Sequence, residues 1–365
     1  MSSLPRVAVV GAGAFGGWTA LRLYERGCQV TLFDTWGPGN SRASSGGETR
    51  IIRGIYGPDR IYVQWVVRSF EAWREAERRW GIPLYHPTGA LWMCAPGHDG
   101  YVRSSLPFLE EAGLTASEIG VAEAGRRFPR VNFDGIDTVF WEETAGYLMA
   151  RRACRAVAEA AGGYRQATVS LQEGKVLVDG SPFEADAYVF ACGAWLDQVR
   201  PTRQEVFFFG TPPGWSRFPA WIESGERFFY GIPGNDHRGF KVADDTRGEP
   251  FDPTTGERLP SPEALERARR HLALRFPDLA GAPLLESRVC QYENSPDGHL
   301  MIGRHPEFPK VWIVGGGSGH GFKLGPAVGE HAAALVLGEA EPIPMFRPDR
   351  SVTVVKTQFA SGDGP

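Results

Sequence analysis

Residues 6–34, RVAVVGAGAFGGWTALRLYERGCQVTLFD, leave little choice of fold. An apolar run at 7–10 enters the string GAGAFG, helix-forming residues follow, and a second apolar strand ends at Asp34. Gly11, Gly13 and Gly16, with Ala14 and Phe15 between them, allow a tight turn that a pyrophosphate can approach, its charge met by the helix N-terminus. Asp34 is placed to accept hydrogen bonds from a ribose 2′-OH, and a carboxylate there disfavours the 2′-phosphate of NADP. The segment predicts the opening of a dinucleotide-binding α/β domain. The loop alone does not choose between NAD and FAD, and a glycine turn without ligand has the same letters.

Further along, apolar positions recur at helical spacing through Tyr62, Trp65, Val66, Ser69, Phe70, Trp73 and Trp80, which predicts an amphipathic helix with a solvated charged face. Residues 87–141 read as short segments broken by Gly and Pro. A helix is expected at about 150–161, a strand in DAYVFACGAW, an antiparallel sheet over 205–241, and helices at about 262–275 and 326–337. The resulting fold class is α/β with an α+β second domain. A Rossmann-like domain (1–86, 145–204 and 286–350) would be interrupted by an antiparallel-sheet substrate domain (87–144 and 205–285), with a tail at 351–365.

Bulk properties narrow the function. A chain of 365 residues has room for two domains, and a net charge of −4 offers no basis for nucleic acid or an anionic membrane. The first apolar run is too short for a signal peptide or membrane span. Five cysteines without a CxxC pair suggest free thiols in a reducing cytosol. Eight histidines show no ligand spacing, so no metal site is expected. The string GGSGH departs from the hydrolase elbow G-x-S-x-G.

Three strings, SSGGETRIIRGIYG (44–57), RVCQYENSPDGHLMIG (288–303) and GGGSGHGFKLGPAVGE (315–330), resemble the monomeric sarcosine oxidase and N-methyltryptophan oxidase family, in the family's order and over nearly the whole chain. Its members are flavoprotein amine oxidases of the D-amino-acid oxidase-like fold. The resemblance implies FAD, a small amine or amino-acid substrate, O2 as acceptor and a monomer. It implies oxidation of a secondary amine or N-methyl amino acid, with hydride passing from the carbon next to nitrogen to flavin N5, imine hydrolysis and H2O2. The alternatives are an amine dehydrogenase with another acceptor, a primary-amine or imino-acid oxidase, or a flavoprotein without catalysis.

Carried over residue by residue, the resemblance puts Cys290 at the cysteine joined through sulfur to the 8α-methyl of FAD. Arg288, two residues away on one strand face, could promote the thiolate, the attacking species; a lone buried cysteine is also an ordinary small hydrophobe. Arg53 and Lys323 match the positions that hold the substrate carboxylate, the competing reading for each being a surface charge or a structural salt bridge. Arg50 lies against the flavin in the family. Lys241 matches the lysine where oxygen is reduced, its competing reading being an exposed strand lysine. Tyr230 and Tyr292 would line the substrate side or else be core tyrosines. For FAD the resemblance implies Ser44, Val169, Gly193 and Trp195, with Gly319, His320, Gly321, Phe322 and Lys323 as the loop over the flavin. His320 reads as a loop contact, not an acid or base. Where the family has two adjacent histidines, this chain has Ser45 and Gly46; Glu48 replaces an aspartate and Pro58 an acidic residue, which argues against sarcosine itself.

Overall fold

The computed structural model describes residues 5–352; all but the first two positions of the expected tail lie outside them. A six-stranded sheet runs in the order Met301–Arg304, Val311–Gly315, Ala187–Phe190, Arg6–Val10, Gln29–Asp34, Tyr164–Gln166. It is parallel except at the edge strand Met301–Arg304. Helix Ala14–Glu25 packs beside helices Ala150–Ala161 and Gly325–Val336. Helices cover one face and the small antiparallel sheet of Val169–Gln172, Lys175–Val178 and Ser181–Pro182 packs on the other, so these strands must be apolar on both faces, and Val7, Ala8 and Val9 are fully buried.

The second sheet has eight strands in the order Leu284–Asn294, Arg200–Phe209, Phe240–Asp244, Phe228–Ile232, Ala220–Ser224, Ala90–Cys94, Thr138–Glu142, Ala116–Ile119. It is antiparallel apart from the pairing of Ala220–Ser224 with Ala90–Cys94. Strands Arg200–Phe209 and Leu284–Asn294 run across positions 204/205 and 285/286, where the sequence suggested domain boundaries.

Helix Pro262–Arg275 starts where Ser261 accepts a hydrogen bond from the Ala264 N–H, with Pro262 at the first helical position. Beside it Trp221, Phe240, Leu272 and Phe276 close a core under one sheet face. Each such side chain contributes roughly 1.5–3 kcal/mol by leaving water.

The helix Arg60–Trp80 buries Tyr62, Trp65, Val66, Ser69, Phe70 and Trp73, as its periodicity predicts. Residues 87–141 differ from expectation. They contain two helices, Gly100–Glu111 and Val121–Arg127. The first holds Pro107 in its interior and is kept by burying Tyr101, Val102 and Leu109, so packing overrides a local breaker.

The opposite face of the eight-stranded sheet matters for function. Side chains alternate along a strand, so Cys290 and Tyr292 share a face. Register puts Tyr230 opposite Ala243, two residues from Lys241, and Val206 bridges Ala243 to the Arg288 row. Tyr230, Lys241, Cys290 and Tyr292 thus stand on the surface turned toward the parallel sheet.

Candidate active site

A cavity of about 400 Å³ lies between the two sheets, floored by the glycine turn. Gly11 has φ +104°, and a Cβ there would stand 2.3 Å from the Ala191 carbonyl oxygen. A Cβ on Gly16 would meet the Gly11 oxygen at 1.8 Å, so Gly16 serves the close packing of helix on strand and does not line the cavity. Gly13 does line it, together with Ala14 and Phe15. The helix beginning at Ala14 has no side-chain cap and no acid in its first turn, which leaves its N–H groups and dipole for an anion.

Asp34 is held from one side, accepting from the N–H groups of Ala12 (2.8 Å), Trp36 (2.9 Å) and Gly37 (2.8 Å). A carboxylate offers about four acceptor positions, so capacity remains for a ribose hydroxyl. Val169, Gly193 and Trp195 line the same end. Trp195 packs against Trp36 at 4.8 Å between centroids, and its Nε1–H donates to Thr254 Oγ1 at 2.8 Å. At the other end stand Ser44, Arg50, Tyr292, Gly319, Gly321 and Phe322. Trp36, Thr254 and Glu293 also line the cavity and were not singled out from sequence. Glu293 accepts from the Gly317 N–H, and burial raises its carboxyl above the usual range.

Cys290 is partly buried, with its sulfur 3.8 Å from the Ser44 carbonyl. The cation beside it is Arg50, whose Nη2 lies 3.7 Å from the sulfur and 2.6 Å from the Ser44 oxygen. Arg288 does not take the role suggested for it: its guanidinium pairs with Glu48 and Glu286.

Lys241 is not an exposed strand lysine. It is 2% exposed, donates to the Thr49 carbonyl at 3.1 Å and stands 4.9 Å from the Tyr230 ring centre. Burial, and then Arg50, push its ammonium well below the usual lysine range. Arg50 donates to the same Thr49 oxygen at 2.8 Å.

Arg53 and Lys323 are not surface charges either. Both are buried, and both meet Tyr56. The Arg53 guanidinium lies 4.9 Å from that ring centre and 5.2 Å from the Trp92 ring centre; Lys323 Nζ donates to the Tyr56 hydroxyl at 3.1 Å and to the His320 carbonyl at 2.7 Å. Burial, with Arg53 beside it, depresses the Lys323 ammonium strongly. His320 is absent from the cavity wall; its Nε2 sits 3.0 Å from the Gly298 oxygen, and burial holds the ring's pKa down at about 3, so it is neutral.

Tyr292 donates its hydroxyl hydrogen bond to Asp245. Burial raises the Tyr292 hydroxyl well above 10, and Asp245 raises it further. Gly46 explains one departure noted above: a Cβ there would stand 1.8 Å from the Asn40 oxygen, so no histidine fits this loop.

The family described as FAD dependent oxidoreductase matches residues 6–335. The chain belongs to that family. This oxidoreductase is 30% identical over 366 residues to monomeric sarcosine oxidase of Arthrobacter sp. (strain TE1826), with 92% of this chain and 93% of the relative covered. It is 26% identical to N-methyl-L-tryptophan oxidase of Yersinia pestis (strain Pestoides F), covering 92% and 95%. In fold it is similar to L-proline dehydrogenase from P. horikoshii, with TM-score 0.83 at 21% identity over 95% of this chain and 98% of the other. Fructosamine oxidase from Aspergillus fumigatus gives TM-score 0.80 at 22% identity over 96% and 90%. FAD is therefore the cofactor of this oxidoreductase, and the uncapped helix, the glycine floor and Asp34 suit its pyrophosphate and ribose. Among the described residues no helix is long and apolar enough to cross a membrane.

Proposed function

We propose that the protein oxidises secondary amines or N-methyl amino acids that carry a carboxylate. The observation behind this reading is the convergence of Arg53 and Lys323 on Tyr56, near the end of the cavity bounded by Tyr292 and Gly319. An arginine offers a bidentate fork and a lysine a point charge, a pair suited to a carboxylate. The names of the relatives, sarcosine and N-methyl-L-tryptophan oxidases, agree with that class.

Bound FAD supplies the hydride acceptor and the path of electrons to O2, with H2O2 and a hydrolysable imine as products. The chain's own residues orient and exclude. Arg53 and Lys323 fix the carboxylate, Tyr56 holds the lysine, and Tyr230 and Tyr292 wall the space in which the carbon next to nitrogen is presented. Lys241 and Arg50, both on the Thr49 oxygen, bring positive potential to the Cys290 side, where negative charge on the reduced cofactor and on oxygen would be stabilised. Cys290 holds the flavin through its sulfur. We further assign action as a monomer, in keeping with the name of the monomeric sarcosine oxidase relatives, in a reducing compartment, in keeping with five free cysteines.

The test is a panel of primary, secondary and N-methyl amines, with and without carboxylates, mixed anaerobically with the yellow protein. Flavin bleaching by carboxylated secondary amines, with peroxide formed in air, supports the reading. Bleaching by none of the panel, or bleaching without peroxide, overturns the oxidase.

A further inference from the structure

Asp245 has no place in the roles above, yet it sits among them. It follows the strand Phe240–Asp244 by one residue, and its N–H donates to the Phe228 carbonyl at 2.6 Å, which fixes it on the sheet face that carries Tyr230 and Lys241. One carboxylate oxygen accepts from the Tyr292 hydroxyl, and Tyr292 lines the cofactor cavity. A carboxylate has a second oxygen to offer. The charged and titratable groups around it come from every neighbouring element: Arg53 beyond the strand Thr49–Ile52, Tyr101 from helix Gly100–Glu111, Lys323 from the turn Phe322–Leu324, Tyr230 from the adjacent strand, Tyr292 from the strand beyond Arg200–Phe209, and Lys241, Asp244 and Arg247 from its own segment. A carboxylate thus faces the two cations that would bind the substrate's carboxylate, the layout a zwitterion requires.

We infer that Asp245 holds the substrate's ammonium and accepts one proton from it, making the site selective for zwitterionic amino acids. This rests on the proposed carboxylate role of Arg53 and Lys323. In the step, one N–H bond of the ammonium breaks and an O–H bond forms on Asp245. The electron pair stays on nitrogen, where it forms the C=N bond as hydride leaves the adjacent carbon. No oxidant beyond the oxidase reaction itself is needed. Burial raises the Asp245 carboxyl to about 6, against the pull of Tyr292, Arg53 and Lys323, so it is ionised at neutral pH and basic enough to take a proton.

The test uses FAD-loaded protein and two small acids of the same shape, N-methylglycine and methoxyacetate, with binding read from the flavin absorbance at pH 8. Methoxyacetate keeps the carboxylate but has no ammonium. In Asp245→Asn, N-methylglycine should bind about tenfold more weakly and methoxyacetate more tightly, because an anion facing it has gone. The acid limb near pH 6 in kcat/KM of the best amine substrate should vanish. A purely structural role for Asp245 would move both ligands in one direction, and that result overturns the assignment. Wild-type protein that binds neither acid overturns the carboxylate reading and Asp245 with it. Normal binding of both by wild type, with no change in the variant, removes Asp245 alone.

Discussion

Lys323 donates a 3.1 Å hydrogen bond to the hydroxyl of Tyr56, a residue 267 positions earlier in the chain. The tyrosine passes its own hydrogen bond to the His320 carbonyl at 2.8 Å, so the lysine is held by neutral oxygens in a buried place beside Arg53. Burial and the neighbouring Arg53 outweigh the attraction of Asp245 and Glu142, so its ammonium is destabilised, and an arriving carboxylate restores it. Binding of a carboxylated ligand should therefore take up a proton between the depressed value and the ordinary lysine range. Calorimetry of methoxyacetate binding in buffers of different ionisation enthalpy measures this uptake. It should disappear in Lys323→Met; wild-type binding with no proton uptake would remove the lysine from the carboxylate site.

Arg53 is stacked among Tyr56, Trp92 and Tyr101, with the buried Glu142 carboxyl nearby. Lysine keeps the charge but not the planar fork, so Arg53→Lys should raise KM about tenfold or more with a smaller effect on kcat. Arg53→Ala should also lower Tm. Glu142, already raised by burial, would lose an attraction that favours its ionised form. Steady-state kinetics and a melting curve on both variants check this; an unchanged KM in both contradicts the role.

Some of this was legible in the sequence and some was not, for physical reasons. The glycine turn, Asp34 and the long helix were readable because period and spacing are local properties. The meeting of Arg53 with Lys323 is set by tertiary closure over hundreds of residues, and only the resemblance to a family pointed to it. Asp245 was missed because an aspartate just past a strand end looks like any turn residue. Arg288 was misjudged because a strand-face argument supplies direction but not the competing partners Glu48 and Glu286. The helix around Pro107 was hidden by its own breaker.

Lys241 gives a prediction about oxygen. Its ammonium lies well below the usual range, from burial first and Arg50 second, so it gains a proton most readily when negative charge develops beside it. Lys241→Met should slow reoxidation of the reduced flavin by oxygen by roughly 10²-fold, the scale for loss of one aligned electrostatic group. Anaerobic reduction by substrate should change far less. Because the charged form is the active one, wild-type reoxidation should fall as pH rises through the lowered pKa, and the variant should lack that dependence. Stopped-flow traces of the two half-reactions decide, and a defect confined to reduction would rule the assignment out.

Cys290 lies beside Arg50 and the Ser44 carbonyl, and both of those residues line the cavity, so the proposed link through its sulfur can be tested directly. Acid precipitation of wild-type protein should leave the yellow colour in the pellet, and Cys290→Ser should release it to the supernatant. The serine variant should still bind FAD, because the glycine floor, the uncapped helix and Asp34 are untouched. Its binding is then reversible, so its Tm should rise with added FAD, by linkage worth about 2.7 kcal/mol at a hundredfold excess over Kd. Wild-type Tm should be insensitive to added FAD. Colour released from wild type by acid would make Cys290 an ordinary thiol and leave the flavin held by the cavity alone.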